Sequence, residues 1–136
     1  MSVFKSSINI SSSDSLEIID ITEDVNNVIM ESGVVDGLVN LFSKHSTSAI
    51  VVNENEDGLL DDFAMSLVGL VNDEVSYAHD IIDNNAKSHV RAFLLGGSQS
   101  IPIRDNRLDL GTWQSIFFIE LDGPRSNRSV SVTILD

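Results

Sequence analysis

The apolar residues of this chain fall into short β-branched runs and three segments of helical spacing, and this order limits the fold. Runs rich in Ile and Val predict strands over residues 3–10, 16–22, 38–42, 46–53, 101–103, 108–110, 115–121 and 130–135. Helical spacing predicts helices that begin at Thr22, Asp57 and Asn85, the first of them ending near Gly33. This order is typical of an α+β fold with a largely antiparallel sheet and about three helices. The continuous apolar run at 49–52 favours a central strand.

Length and composition favour one compact domain that spans residues 1–136. Apolar residues make up 42% of the 136, which is enough for one hydrophobic core. No apolar stretch approaches the roughly 20 residues that cross a bilayer, and the N-terminus lacks the plan of a signal peptide. The chain has no cysteine, which excludes a disulfide scaffold and thiolate metal ligands. We therefore expect a soluble, cytoplasmic protein with no membrane partner.

The charge of the chain is strongly acidic and unevenly distributed. A formal net charge of −13 disfavours nucleic acid and anionic membranes as partners. Six of the eight lysines and arginines nevertheless follow residue 86, where only five of the 21 acidic residues lie. This distribution has two equally good explanations. One is chance together with a solvated acidic face, and the other is a local anion site in the last third of the chain.

Three histidines, His45, His79 and His89, lie where an apolar segment meets a polar one. Neutral imidazole is the commonest metal-binding side chain, and three converging histidines can hold zinc with one position left open. Such a ligand set would also accept nickel, copper or iron. Taken separately, each histidine has an ordinary explanation: His89 borders the apolar face of a helix, His79 lies in a polar loop, and His45 precedes a strand. The residues alone leave both interpretations open.

Charged residues elsewhere offer further candidates, each beside an ordinary role. Glu54 follows the strand that His45 precedes, although carboxylates at such a place are most often helix N-terminal acids. Lys87 lies four residues before Arg91 on a helix, an arrangement that suits either solvent or a bound phosphate. The Gly-Pro turn at 122–128 carries two arginines, which could clamp an anion or simply solubilise a hairpin loop.

Several motifs occur in one order along nearly the whole chain. They are His45-Ser46-Thr47-Ser48-Ala49, Asn53-Glu54-Asn55, Tyr77-Ala78-His79-Asp80, Ser88-His89, Ser98 to Ile103, Leu110-Gly111-Thr112-Trp113-Gln114 and Glu120-Leu121-Asp122-Gly123-Pro124-Arg125. In these motifs the chain resembles the YjbQ-like family, whose assigned activity is that of secondary thiamine-phosphate synthases. One departure is Asn106, where the family usually has glycine. Asparagine also adopts positive φ, so we expect that turn to survive.

The resemblance implies a structure, an assembly and an activity. It implies a compact α+β homotrimer with the site near subunit contacts and the three histidines together around a metal. The implied activity is a transferase reaction that joins a hydroxymethylpyrimidine diphosphate to a thiazole phosphate and releases pyrophosphate. A divalent metal and fixed cations would stabilise the charge that builds on the departing oxygens.

Residue roles follow from that resemblance as expectations. His45, His79 and His89 would be catalytic as metal ligands or as the polar core of the site, with zinc or a similar ion, or magnesium accompanying the diphosphate. Glu54 would orient a histidine or a metal-bound water. Arg125 and Lys87 would bind the phosphate. The pocket would be shaped by Asn85, Trp113 and Gln114. Two alternatives stay open: a metal-dependent hydrolase of a phosphorylated small molecule, and a non-catalytic binder of an anionic metabolite.

Overall fold

Two antiparallel β-sheets form the framework of the protein in a computed structural model, which describes residues 2–136. Met1, the first residue of the expected 1–136 domain, lies outside the described residues. The strands are β1 Val3–Ile10, β2 Glu17–Asp20, β3 Gly37–Ser43, β4 Ser48–Glu54, β5 Ser98–Arg104, β6 Arg107–Leu108, β7 Gln114–Glu120 and β8 Arg128–Leu135. The first sheet has the order β1-β8-β3-β5-β6, and the second has the order β2-β7-β4.

Three α-helices complete the described part of the chain: α1 Thr22–Ser32, α2 Asp57–Leu70 and α3 Ala86–Leu95. A short 3₁₀ helix, Ala78–Ile81, interrupts the loop between α2 and α3. The α+β fold with antiparallel sheets and three helices is therefore confirmed. No helix among residues 2–136 combines the length and the apolar character needed to cross a membrane.

The main core lies between the two sheets and α1. Strand alternation places Val130, Val132 and Ile134 of β8 inward, where they meet Ile50 of β4 and Phe118 of β7 across the sandwich. These side chains are at most 1% exposed. Each buried aliphatic or aromatic side chain of this size contributes roughly 1.5–3 kcal/mol of transfer free energy, so this layer contributes strongly to the stability of the fold.

A second, smaller core lies on the outer face of the three-stranded sheet, under α2 and α3. It contains Ala49, Phe117, Ile119 and Leu121 from the sheet side and Leu67 from α2. Leu67 is the only residue of α2 that is buried. The three-stranded sheet is thus covered on both faces.

The position of β4 differs from the expectation of a central strand: it lies at the edge of the three-stranded sheet. Its apolar run has another cause, because Ala49 faces the outer core while Ile50 faces the main core. Its open side is partly closed where the Ile50 N–H donates to the Gly96 carbonyl oxygen at 3.0 Å and the Gln99 amide donates to the Ile50 carbonyl oxygen at 3.1 Å. Because both faces of β4 are buried, this edge strand has the continuous apolar sequence that is typical of a central strand.

Two turns have the backbone conformations that the sequence indicated. Gly33 ends α1 with φ of 73°, a left-handed conformation that glycine adopts without steric cost. Asn106 has φ of 63° in the hairpin between β5 and β6, and its side-chain amide donates to the Val34 carbonyl oxygen at 2.6 Å. The expectation that this turn tolerates asparagine is confirmed.

Candidate functional site

His45 lies in the turn between β3 and β4, next to the start of β8. Its Nε2 accepts a hydrogen bond from the Ser129 main-chain N–H at 3.1 Å. A main-chain N–H can only donate, so the neutral ring must carry its proton on Nδ1. Burial lowers the pKa of His45, and the positive charge of Arg128 lowers it further. His45 is therefore a neutral ring at neutral pH that offers one N–H donor.

A chain of hydrogen bonds joins His79 to Arg125 through Asn85 and Asp122. His79 Nε2 lies 3.1 Å from Asn85 Oδ1, and the amide nitrogen of Asn85 donates to Asp122 Oδ2 at 2.9 Å. The Arg125 guanidinium donates to the same oxygen at 3.0 Å and to the Asp122 carbonyl oxygen at 2.9 Å. Because the Asn85 side chain is used in this way, Asp80 instead caps α3 by accepting from the Ala86 N–H at 3.1 Å.

His89 connects the other two histidines without joining them into one cluster. Its ring contacts that of His79 edge to face, with 4.8 Å between the ring centroids. His89 and His45 also line one cleft of about 220 Å³, together with Phe93 and Gly97, which we call the histidine cleft. His79 does not line this cleft.

A second cleft of about 290 Å³, which we call the arginine cleft, adjoins His45. It is lined by His45 and by the segment Pro124-Arg125-Ser126-Asn127-Arg128. His45 lines both clefts, so a ligand that filled the two would pass beside its ring. Among the described residues, this is where the expected anion-binding turn and the expected histidine site meet.

A buried ion pair supports the arginine cleft from below. Glu120 is fully buried, and it accepts from Arg128 Nε at 2.9 Å and from the Ser12 hydroxyl at 2.6 Å. Arg128 also donates to Thr47 Oγ1 at 2.8 Å. Burial alone would raise the pKa of Glu120, but hydrogen bonds from Arg128, Ser12 and the Asp122 N–H outweigh burial and hold the pKa below its ordinary value.

The expected site residues Glu54, Trp113 and Gln114 lie at the opposite end of the three-stranded sheet. Glu54 pairs with Gln114 in the register of β4 and β7, and the adjacent Trp113 is 73% exposed. At about 3.3 Å per residue, the strand from Ser48 to Glu54 spans roughly 20 Å. Within one chain, Glu54 therefore cannot orient a histidine, because it ends β4 whereas His45 precedes it.

Lys87 also lies apart from the clefts. Its ammonium nitrogen is 3.3 Å from Asp73 Oδ1, and the same oxygen accepts from Arg91 at 3.0 Å. The two cations that the helical spacing placed on one face thus share one carboxylate. This carboxylate lessens their repulsion and fixes the loop after α2 to α3.

The arrangement does not fit a metal ion held by the three histidines. Within residues 2–136, no three His, Asp or Glu side chains converge as a metal-binding group. Nε2 of His45 accepts from the Ser129 N–H, so a metal ion at that nitrogen would displace a main-chain hydrogen bond. The expected histidine ligand set for zinc or a similar ion is therefore not formed in one chain. Nor does the structure show a single histidine cluster.

Sequence reasoning missed the residues that organise this site from within. In the sequence, Glu120 and Asp122 stand out only as members of a motif, and Arg128 only as the second arginine of a turn. One signal was available, because Glu120 ends an apolar strand eight residues before Arg128, and a buried carboxylate in a strand needs a cation. Thr47, the other partner of Arg128, carried no such signal.

Comparison with known proteins places nearly the whole chain in one family. The family model described as UPF0047 protein YjbQ-like matches residues 6–136. A UPF0047 protein of Methanothermobacter thermautotrophicus is 52% identical over 98% of this chain and 93% of its own length. The Bacillus subtilis protein YugU is 33% identical over 81% of this chain and 83% of its own length.

Solved structures agree with the fold. A Sulfolobus solfataricus protein, described as YbjQ-like and of unknown function, superposes with a TM-score of 0.95 at 40% identity and covers 98% of this chain and 96% of its own. An uncharacterised YjbQ/UPF0047 protein of Clostridium acetobutylicum gives a TM-score of 0.88 at 37% identity, covering 97% and 99% of the two chains.

These relatives correct the expected activity. The curated relatives carry only the UPF0047 family name, and the Sulfolobus solfataricus structure is described as having no known function. The prediction that the chain is a thiamine-phosphate synthase, and thus a transferase of that kind, is therefore wrong as an assignment, because the family to which it was tied has no established activity. What the match over residues 6–136 does establish is membership: the chain belongs to the UPF0047, YjbQ-like family.

Proposed function

We propose that the arginine cleft binds the phosphoryl group of a small phosphorylated molecule, with the remainder of that molecule in the histidine cleft. One observation carries this proposal: His45 and two arginines line the arginine cleft in a chain whose net charge is −13. In so acidic a protein, a cleft lined by cations and without a lining carboxylate is the place that favours an anion.

Arg125 is the principal anion-binding residue in this proposal. Its side chain is 52% exposed, and Asp122 fixes the guanidinium through two hydrogen bonds. A guanidinium has five N–H donors, so donors remain for a phosphoryl oxygen. Arg128 contributes less, because the buried Glu120 already neutralises it. His45 adds the Nδ1–H donor without adding a charge.

The histidine cleft favours an apolar or aromatic body next to that phosphoryl group. Phe93 is 87% exposed and lies on the cleft with Ala92, while His89 supplies a polar edge. An aromatic ligand ring gains contact with both the phenyl and imidazole rings. Phenyl phosphate is therefore a better probe of the whole site than inorganic phosphate.

Titration calorimetry with inorganic phosphate and phenyl phosphate tests the proposal. We expect phenyl phosphate to bind more tightly, and Arg125→Gln to weaken both ligands by roughly tenfold or more, as for hydrogen bonds to charged groups. Arg104→Gln is the matched control, because Arg104 is exposed and ends β5 away from the clefts. Equal weakening by the two variants, or unchanged binding by Arg125→Gln, would contradict the assignment.

Divalent metal binding stays a prediction that the same titration examines. Magnesium carried by a substrate's phosphate needs no preformed set of protein ligands, because it keeps several water ligands. Elemental analysis of the purified protein tests for zinc or a similar ion. Titration with phenyl phosphate in EDTA and in millimolar magnesium tests whether magnesium accompanies the phosphate. Identical affinities under the two conditions would discard a role for magnesium.

We also infer, from the family resemblance, that the chain forms a homotrimer in the cytoplasm. Several large apolar side chains are available for contact with a second copy: Ile81 is 90% exposed, Phe93 87% and Trp113 73%. Trp113 and Gln114 can act on the histidine cleft only from a second copy. Light scattering after size-exclusion chromatography should give a mass near three times 14.8 kDa, and a monomer mass would remove this part of the proposal.

A further inference from the structure

A cavity of about 360 Å³ lies between α2 and the outer face of the three-stranded sheet, apart from the histidine and arginine clefts. We propose that this cavity is a binding site for a small primary amine with an apolar body. The site would take its ligand independently of the phosphate site. Its volume is at the lower end of the range for small-molecule sites, which suits a ligand of a few carbon atoms.

The body of the cavity is apolar on both sides. Val51, Phe117 and Ile119 of the sheet form its floor, and Leu60 and Phe63 of α2 form part of its wall. Phe117 and Ile119 are at most 2% exposed and belong to the outer core, so the floor is rigid. An apolar ligand here would cover the exposed parts of the half-buried Val51, Leu60 and Phe63, which is the favourable term in such binding.

The cavity exists because α2 does not fill the space beneath it. Only Leu67, near the C-terminal end of the helix, is buried. Leu59, Phe63 and Ser66 lie at i, i+4 and i+7 and line one side of the cavity without closing it. The cavity is open to solvent, because its lining residues Leu59, Asp62 and Ser66 are exposed, so a small molecule can enter it without moving α2.

The charged residues at the cavity favour a ligand with a positive charge. Glu54 and Asp62 are its only charged lining residues, and neither forms a salt bridge within residues 2–136. A neighbouring cleft on the same helix shares Ile18 and Leu60 with the cavity, and its charged lining residues are also all acidic: Glu17, Asp57 and Asp61. An ammonium group gains from this field, whereas a carboxylate is repelled.

The amine site is distinct from the proposed phosphate site in position and in charge. Glu54 ends β4, roughly 20 Å along the strand from the turn that holds His45. The arginine cleft is lined by cations, whereas the cavity is lined by acids. Failure of one proposal therefore leaves the other intact, because each has its own ligand and its own variants.

Three ligands of one skeleton test the proposal on the intact protein: hexylamine, hexan-1-ol and hexanoate, measured by titration calorimetry at low ionic strength. We expect the amine to bind about fivefold more tightly than the alcohol, and hexanoate to bind most weakly. The advantage of the amine should shrink as salt is added, because the acids are near the surface. Equal affinity of the three ligands, or the absence of amine binding, would overturn the proposal.

Two pairs of variants locate the site. Glu54→Gln combined with Asp62→Asn should reduce amine affinity to that of the alcohol, whereas Glu74→Gln, an exposed acid outside the cavity, should not. Ser66→Trp should fill the cavity and abolish binding of all three ligands. Met65→Trp is its matched control, because Met65 is 69% exposed and does not line the cavity. Circular dichroism confirms that each variant folds, and amine binding that survives Ser66→Trp in a folded protein would place it elsewhere.

Discussion

At the scale of single residues, the Glu120–Arg128 pair is a polar feature that is costly to bury. Glu120 is fully buried and Arg128 is 6% exposed, so each is desolvated and depends on the other. A buried pair adds little over two apolar residues, but removing one partner leaves an uncompensated charge. The pair therefore fixes where β8 starts relative to β7 more than it adds net stability.

Arg128→Met should be strongly destabilising for this reason. We expect a loss of roughly 3–5 kcal/mol in the free energy of unfolding, measured by urea denaturation. The matched control is Arg125→Met, whose half-exposed salt bridge with Asp122 should account for at most about 1 kcal/mol. Similar losses in the two variants would show that Glu120 finds another partner or takes up a proton at little cost.

His45 should make the stability of the protein depend on pH in a defined range. Its pKa is lowered in the folded state by burial and by Arg128, while the unfolded value is near 6.5. The unfolded chain therefore binds more protons below pH 6.5, and the folded state loses stability as the pH falls from 6.5 toward the folded pKa. His45→Gln removes this titration.

Urea unfolding at several pH values between about 5 and 7 tests the role of His45. The difference in unfolding free energy between the wild type and His45→Gln should fall as the pH is lowered. A difference that does not change with pH would contradict a lowered pKa at this position. The amide oxygen of glutamine can accept from the Ser129 N–H in place of the imidazole nitrogen, so folding should be preserved.

At the scale of elements, two glycines differ in the space that surrounds them. Gly37 begins β3, and a Cβ there would overlap the Leu135 carbonyl oxygen of the neighbouring strand β8. Gly69 lies in α2, where a Cβ would meet nothing within 4 Å. Sequence patterns alone do not distinguish these two positions, because both lie next to apolar residues.

Alanine at each glycine should therefore change stability in opposite directions. Gly37→Ala should cost roughly 1–3 kcal/mol through overpacking. Gly69→Ala should add about 0.5–1 kcal/mol, because alanine restricts the unfolded chain and favours the helix. Thermal unfolding followed by circular dichroism measures both, and a destabilising Gly69→Ala would mean that α2 packs more closely than its exposed face indicates.

The presence of each helix and strand was more predictable from the sequence than the elements against which it packs. Helical spacing after Thr22 and Asp57, together with the stop at Gly33, indicates α1 and α2 because these signals are local. The edge position of β4 was not predictable, because burial on both faces depends on α2 and on the first sheet. Asn85 lies at the N-cap position as expected, but the distant Asp122 draws its side chain away from capping.

At the scale of the whole molecule, the two cores share the three-stranded sheet. Phe118 faces the main core and Phe117 faces the outer core from adjacent positions of β7. Loss of either core therefore removes support from the same strand. We expect one cooperative unfolding transition, as the single domain predicted for residues 1–136 requires.

Leu67→Ala tests this coupling by opening the outer core alone. We expect one transition at a lower temperature, with a loss of roughly 2–5 kcal/mol, at a fixed protein concentration. Coincident changes in circular dichroism and in calorimetric heat would support the single domain. An early transition that removes only helical signal would instead mean that α2 and α3 unfold separately.

The candidate site was predictable in part, and its limits follow from topology. The family resemblance implied that His45, His79, His89, Asn85 and Arg125 share one site. The structure places these residues in adjoining contacts and clefts, although it does not join the three histidines into one cluster. Glu54, Trp113 and Gln114 were grouped with them through family motifs, yet one chain separates them by the length of β4. Motif order carries no information about which copy of a chain supplies a residue.

The exposure of Trp113 has a practical consequence for spectroscopy. It is the only tryptophan, and its indole is largely in water in the folded chain. In a single chain its fluorescence should therefore change little on unfolding, so emission from a monomer is a poor reporter of stability. The same indole becomes a sensitive reporter of anything that covers it. A blue shift on raising the protein concentration would signal a second chain seated over this part of the surface.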